Sequence, residues 1–469
     1  MQISSASRES SSSPARKPIS PTERWASFAA TLAFDDLPSV LVERAKGLVL
    51  DTLGCALAAS TLGDGCAEVR ALVRADPGTP ECSVLGCGER ASALQAAFVN
   101  GALAHALNYD ANGAAGGHLG LAAVVAPLAI AERRGAINGR EFLVAVALAA
   151  ELTARLGAAL SEADVDANEK FLEGQLLGYF GAALAAARLA GCDAVQLHSA
   201  LGLALMQAAG SRQISLEGRP AKAIYGAYTN HGAVLAALLA ARGLDARCAA
   251  FEGPAGLFEL FYDGRHSPGA LADALGQRYR AEAVVFKPWP TSEILHPFIR
   301  AALALELDPR QIARVRVHAG AHARAWLEPV AERRRPQHAA TAANSIFFGV
   351  AKCLTQRALG LADFSAAGIA DPETLALAER IDYLISSQAD TEARIEVTML
   401  NGSTRESRAT GATDVLGFDA LATKFRDCAR YAAHVPRAPE RVIERVIECV
   451  HTLERVTDMR ALVRMLGGD

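Results

Sequence analysis

Aromatic side chains are scarce in this sequence, 6% of 469 residues, although 51% are hydrophobic. Alanine makes up much of the difference. It has the highest helix propensity and lets helices approach closely, so a mainly α, tightly packed protein is expected. Blocks of basic residues are also missing. The net charge is −4, and no Lys/Arg stripe interleaves with aromatics, which argues against nucleic acid as a partner. The nine cysteines are odd in number, scattered and never spaced Cys-x-x-Cys. That excludes a disulfide framework, a zinc knuckle and an iron–sulfur cluster, and predicts a reducing, cytoplasmic setting. No phosphate-cradling glycine loop, dinucleotide fingerprint or Gly-x-Ser-x-Gly elbow occurs. The apolar runs 119–131, 142–150 and 176–187 fall short of the roughly 18–20 residues of a membrane span, so a soluble protein with no membrane partner is expected. Residues 1–21 are rich in Ser and Pro without the apolar centre of a secretory signal, and read as a disordered tail.

What is present is helix after helix. Helical spacing predicts elements over 37–59, 91–107, 119–133, 139–160, 175–189, 194–209 and 228–242, with one short strand near Cys82. Gly135, Gly191 and Gly243 stand where C′ glycines belong, and Asn138/Glu141 and Asp193/Gln196 have capping-box spacing. Near residue 282 the texture changes. Residues 284–286, 312–317 and 393–400 read as strands, with helices over 297–306, 344–358 and 372–385. Helices return over 417–432 and 439–451. The expected architecture is a large all-helical domain built from both chain ends, 22–281 plus 412–469. A smaller α+β lid, 282–411, is inserted into it.

Chemistry concentrates where glycine and ionisable residues meet between apolar helices. The stretch from His105 to Gly120 holds Asn108, Asp110, Asn112 and His118 among four glycines. Three further places are 170–175 with Glu173, 212–225 with Glu217, Arg219, Lys222 and Tyr225, and 286–297 with Lys287 and His296. Singly, each has a plain structural explanation; a surface pair such as Glu217/Arg219 contributes little. Together, His118, Lys222, His296 and Asp110 supply an imidazole base, a fixed cation, a second acid/base and an orienting carboxylate. Proton abstraction next to a carboxylate requires such a set, with a base near neutral pKa and positive charge where the enediolate develops. Asn108, Asn112, Tyr225 and Lys287 are the candidate substrate-binding residues. The reading requires His118, Lys222 and His296 to converge on one cleft.

Several segments in this order resemble one family. They are Asp51-Thr-Leu-Gly-Cys55, Ala97-Phe-Val-Asn-Gly101 through His105 and Asp110, and Gly117-His118, then Leu177-Gly-Tyr-Phe-Gly181 and Phe251-Glu-Gly253 with Gly256-Leu-Phe258. Phe286-Lys-Pro-Trp-Pro290 with His296-Pro297, and Lys424-Phe-Arg-Asp427, complete the set. Over residues 22–430 the chain resembles the MmgE/PrpD family, which includes 2-methylcitrate dehydratase, cis-aconitate decarboxylase and iminodisuccinate epimerase. The resemblance implies a helical domain with an α+β lid, a homodimer, no metal or organic cofactor, and a small carboxylate substrate in the cleft between domains. It places the family's loop histidine at His118, an acid at Asp110, a lid histidine at His296 and a lysine at Lys222. The chain departs from the family pattern at Asn108 and Ala111, where acids are usual, and at Leu172, where a histidine is usual. Thr291, Ser292 and Ala343 also depart. The expected activity is a cofactor-independent lyase removing an α-proton and eliminating water. The alternatives are an epimerase or decarboxylase using the same cleft, and a silent homologue that only binds.

Overall fold

The computed structural model describes residues 19–217, 219, 221–386, 392–411, 416–434 and 439–467. Most of the expected tail, residues 1–18, lies outside them, and its last residue is already helical. Ser20 Oγ accepts the Glu23 amide, and Pro21 takes the first position of the helix Pro21–Thr31.

The protein is mainly α. Its principal helices are Ser39–Leu62, Ala93–His105, Leu119–Arg134, Gly139–Ser161, Glu173–Leu189, Ala194–Gln207 and Ala223–Ala241. Both expected capping boxes form, and Gly135, Gly191 and Gly243 adopt positive φ at helix ends. Ser39–Leu62 and Gly139–Ser161 are long and apolar enough to cross a membrane, which the shorter runs read from sequence did not suggest. Both are packed inside the protein, so neighbouring helices cover the apolar surface that a bilayer would otherwise cover.

One close approach sets the site. A Cβ on Gly101 would stand 2.2 Å from the Gly226 carbonyl oxygen, and one on Gly226 would stand 2.1 Å from that of Gly101. Only glycine lets the two backbones touch in this way. His105 follows Gly101 by one turn and Lys222 precedes Gly226 by one turn, so the contact fixes both at one end of the helix pair.

Buried apolar side chains form two large clusters. One runs from Trp25 to Phe286, with Leu361, and takes in Leu421 through Leu466 of the chain's other end. The helices Phe418–Ala429, Pro439–His451 and Arg460–Gly467 belong to it, and Phe425 and Cys428 pack on Gly54. The other cluster runs from Leu295 to Val397. It lies between helices and a four-stranded sheet ordered Ile381–Ile385, Ile312–Ala319, Glu392–Met399, Thr404–Thr410, with the first pair parallel and the others antiparallel. Ala393, Ile395 and Val397 turn to the core and their neighbours outward, as the alternation predicts. The helix expected over 372–385 stops at Ala378, and its last residues form the parallel strand instead.

Candidate active site

Both chain ends meet beneath the glycine loop. Lys424 is buried and pairs with Asp51 at 2.6 Å. Its ammonium donates to the Tyr109 carbonyl (2.7 Å) and the Lys287 carbonyl (3.1 Å), and sits 3.5 Å over the Tyr109 ring. Burial opposes its charge, but Asp51, with Cys55, Tyr109 and Cys428 behind it, raises its pKa on balance. This cation holds the 108–110 loop and the 287 segment to one floor. The two-residue strands Asn112–Gly113 and Val284–Val285 pair just beside it.

On that floor Asp110 is fully buried between two imidazoles. Its Oδ2 lies 2.8 Å from His118 Nδ1, and its Oδ1 lies 3.2 Å from His105 Nδ1. The rings meet edge to face, with centroids 4.4 Å apart. Burial works to raise the Asp110 carboxyl, yet the two rings hold it well below the usual carboxylate range. Burial outweighs the carboxylate at His118 and lowers that ring to about 3, below the near-neutral base expected from sequence. His118 is therefore a neutral imidazole, with Nδ1–H turned to Asp110 and Nε2 left as the acceptor. The ligand atoms of His105, Asp110 and His118 lie within 4.8 Å of one another, the one group among the described residues that could also hold a metal ion. As built, each carboxylate oxygen is occupied by a ring nitrogen.

A cavity of about 190 Å³ opens in front of His118. Asn108, Asn112, Lys222, Tyr225 and Lys287 line it too, so six of the eight expected site residues share one space. Asn108 has positive φ, 53°, which Asn tolerates better than most residues. Its carbonyl and side-chain oxygens accept from Lys287 Nζ at 3.0 and 3.2 Å. Asn108 is neutral and adds no counter-charge, and burial lowers the Lys287 pKa although Asp110 and Glu293 favour its charge. Burial and then Lys287 repulsion lower Lys222 to about 7. Burial raises the Tyr225 phenol to about 12, against a backbone hydrogen bond from Ser215 that lowers it. Asn112 Nδ2 donates to Glu293 at 3.0 Å.

Two expected residues stand elsewhere. Asp110 lies behind His118, where an orienting carboxylate belongs. His296 does not line the cavity, so the expected three-residue convergence reduces to His118 and Lys222. The His296 ring is buried edge-on against Trp289, whose backbone is also its hydrogen-bonding neighbour. Burial, then Lys287 and Arg300, hold it at about 3. Its position just before Pro297 on a helix start explains it structurally.

The cavity also exposes residues to which the sequence assigned no role: Glu173, Arg212 and Glu293. Glu173 opens its helix against the glycine loop. Burial, then repulsion from Glu293, raise it to about 8. Glu173 was visible as an acid entering an apolar helix, but the loop that buries it lies more than fifty residues away. Trp326 and Asn344 of the α+β unit also line the cavity, joined through Trp326 Nε1 donating to Asn344 Oδ1 at 3.1 Å.

The MmgE/PrpD N-terminal domain profile matches residues 23–268, and the MmgE/PrpD C-terminal domain profile matches residues 289–452. A cis-aconitate decarboxylase-like protein of Aspergillus oryzae is 26% identical over 480 aligned residues, covering 96% of this chain and 97% of its own length. A cis-aconitate decarboxylase of Aspergillus terreus is 24% identical over 471 aligned residues, 94% of each chain. With both family domains matched in order along the chain, this protein belongs to the MmgE/PrpD family.

Proposed function

We propose that this chain is a lyase that removes a proton next to a carboxylate of a small polycarboxylate and eliminates water. The observation that carries the reading is a neutral His118, oriented by Asp110, sharing one cavity with Lys222 and Lys287. A bound polyanion changes the local charge. It raises the proton affinity of His118 and keeps both lysines protonated, since an opposite charge within a few ångströms favours the charged form. His118 Nε2 then accepts the α-proton, and the lysines hold the enediolate charge. No further group is required of a cofactor. The decarboxylase names of the matched relatives favour loss of CO₂ as a second outcome, because a lysine-stabilised enediolate is common to both.

In this reading the 282–411 unit is a lid over a helical domain built from 22–281 and 412–469, with Trp326 and Asn344 as its contact edge. The protein would work as a homodimer in the cytoplasm. The exposed Met206, Ile214, Leu216 and Tyr228, in the segments on either side of Lys222, support a second subunit near the cavity. The test is a panel of di- and tricarboxylates, followed for alkene formation, CO₂ release and solvent deuterium uptake. At least one acid is expected to turn over. A panel without turnover or exchange would leave only a binding protein.

A further inference from the structure

We propose that Glu173 is the proton donor of this site and that it regains its proton through a second hollow on its far side. The inference rests on the lyase reading above for the step it completes, and on the walls of two cavities for its geometry.

Glu173 and Asn168 line both spaces. One is the cavity in front of His118; the other is a hollow of about 300 Å³ lined also by Gly157, Asp164 and Asp166. Glu173 is thus part of the partition between them, only 4% exposed. The partition is built around its carboxyl. Asn168 Nδ2 donates to Oε2 at 2.8 Å, and the Glu173 amide donates back to Asn168 Oδ1 at 3.2 Å. The Gly117 amide is a further backbone donor to this carboxyl. A Cβ at Gly116 would fall 2.2 Å from Oε1, and one at Gly157 3.1 Å from it. Gly116 also needs its positive φ of 97°. Glycine at both positions leaves room for an acid here and for little else.

The next residue joins this acid to the base. A Cβ on Gly174 would stand 2.4 Å from His118 Cδ2, so the first turn of the Glu173–Leu189 helix packs directly on the imidazole. The groups facing Glu173 are Glu293 and Asp166, which repel its charge, and Asn168 and the Gly117 amide, which favour it; Tyr262 is also near. Burial with the two acids prevails, and Glu173 is a carboxylic acid at neutral pH. Two neighbouring groups whose surroundings drive their proton affinities apart are an acid and a base.

His118 Nε2 takes the α-proton, and the C–H electron pair becomes the enediolate. That pair then forms the carbon–carbon double bond as the bond to the β-hydroxyl breaks. Glu173 gives its proton to the departing oxygen, so water leaves and a carboxylate remains. Glu173 is re-protonated from solvent through the Asp164/Asp166 hollow, and His118 releases its proton.

The experiment compares wild type with Glu173→Gln and Glu173→Asp, using whichever panel acid the wild type converts. Glu173→Gln is expected to keep α-deuterium exchange, because His118 is intact, while net conversion falls about 100-fold or more. Glu173→Asp should restore part of it, and the alkaline limb of the wild-type profile, near 8, should disappear in the Gln variant. Conversion by Glu173→Gln at the wild-type rate overturns the proposal. An infrared titration of the substrate-free wild type reads the same group without turnover. A protonated-carboxyl band lost near pH 8, and absent from Glu173→Gln, supports it; no such band overturns it. If no panel acid reacts, the lyase reading fails while the infrared result still decides the state of Glu173.

Discussion

Asp110 is the residue through which the two histidines of the site are coupled. Its oxygens each engage one Nδ1, so it fixes the tautomer of His118 and turns Nε2 toward the cavity. Asp110→Asn keeps the shape but can donate as well as accept, so the imidazole loses its single preferred tautomer. The variant is expected to fold and to lose on the order of 10²-fold or more in turnover; steady-state rates together with circular dichroism check this. At this scale the sequence was informative about residue type. His118, Lys222, Asn108, Asn112, Tyr225 and Lys287 were visible because polar groups interrupted apolar helices, and they share one cavity. His296 was visible on the same grounds and faces Trp289 instead. Direction of a side chain and burial of Glu173 depend on contacts distant in sequence, which no local pattern encodes.

Helices carry these residues, and their packing decides whether the residues meet. The Gly101/Gly226 contact is the tightest constraint near the site. Gly226→Ala would push the Ala93–His105 and Ala223–Ala241 helices apart, with an overpacking cost of about 1–3 kcal/mol. Urea unfolding should show that loss, and the displaced Lys222 should raise KM. Helix existence was legible from period, caps and C′ glycines, and the helix over Pro439–His451 matches its expected bounds. Two strands of the four-stranded sheet were not, nor were the short strands Glu89–Ala91 and Asn112–Gly113. Ile381–Ile385 continues a helical pattern and becomes a strand only because Ile312–Ala319 lies alongside it. Thr404–Thr410 is an exposed edge, with too few apolar residues to show alternation. The Ala223–Ala241 helix starts five residues before its expected bound, since Tyr225 reads as part of a polar connector.

The whole molecule shows the site in its acid response. His118 and His296 sit at about 3 in the folded protein, against about 6.5 unfolded. As pH falls through 6.5 the unfolded chain gains protons that the folded chain refuses, so stability drops toward pH 3. Glu173 has the opposite sign. Raised to about 8, its contribution is fully present below its unfolded value near 4.5 and is lost as pH rises through 8. It therefore offsets part of the histidine loss on acidification. Glu173→Gln removes the offset, and between pH 7 and pH 5 that variant should lose about 2 kcal/mol more than wild type. Urea titrations at the two pH values measure the difference, and equal losses would place the Glu173 proton affinity near its ordinary value.

Everything proposed for this site depends on His118 taking an α-proton from a carboxylate substrate held by Lys222 and Lys287. The deciding measurement is solvent deuterium exchange into the panel acids, read by mass spectrometry for wild type and His118→Ala. Deuterium is expected at the α-carbon of at least one acid with wild type, and none above background with a folded His118→Ala. Exchange at the wild-type rate in His118→Ala would contradict it.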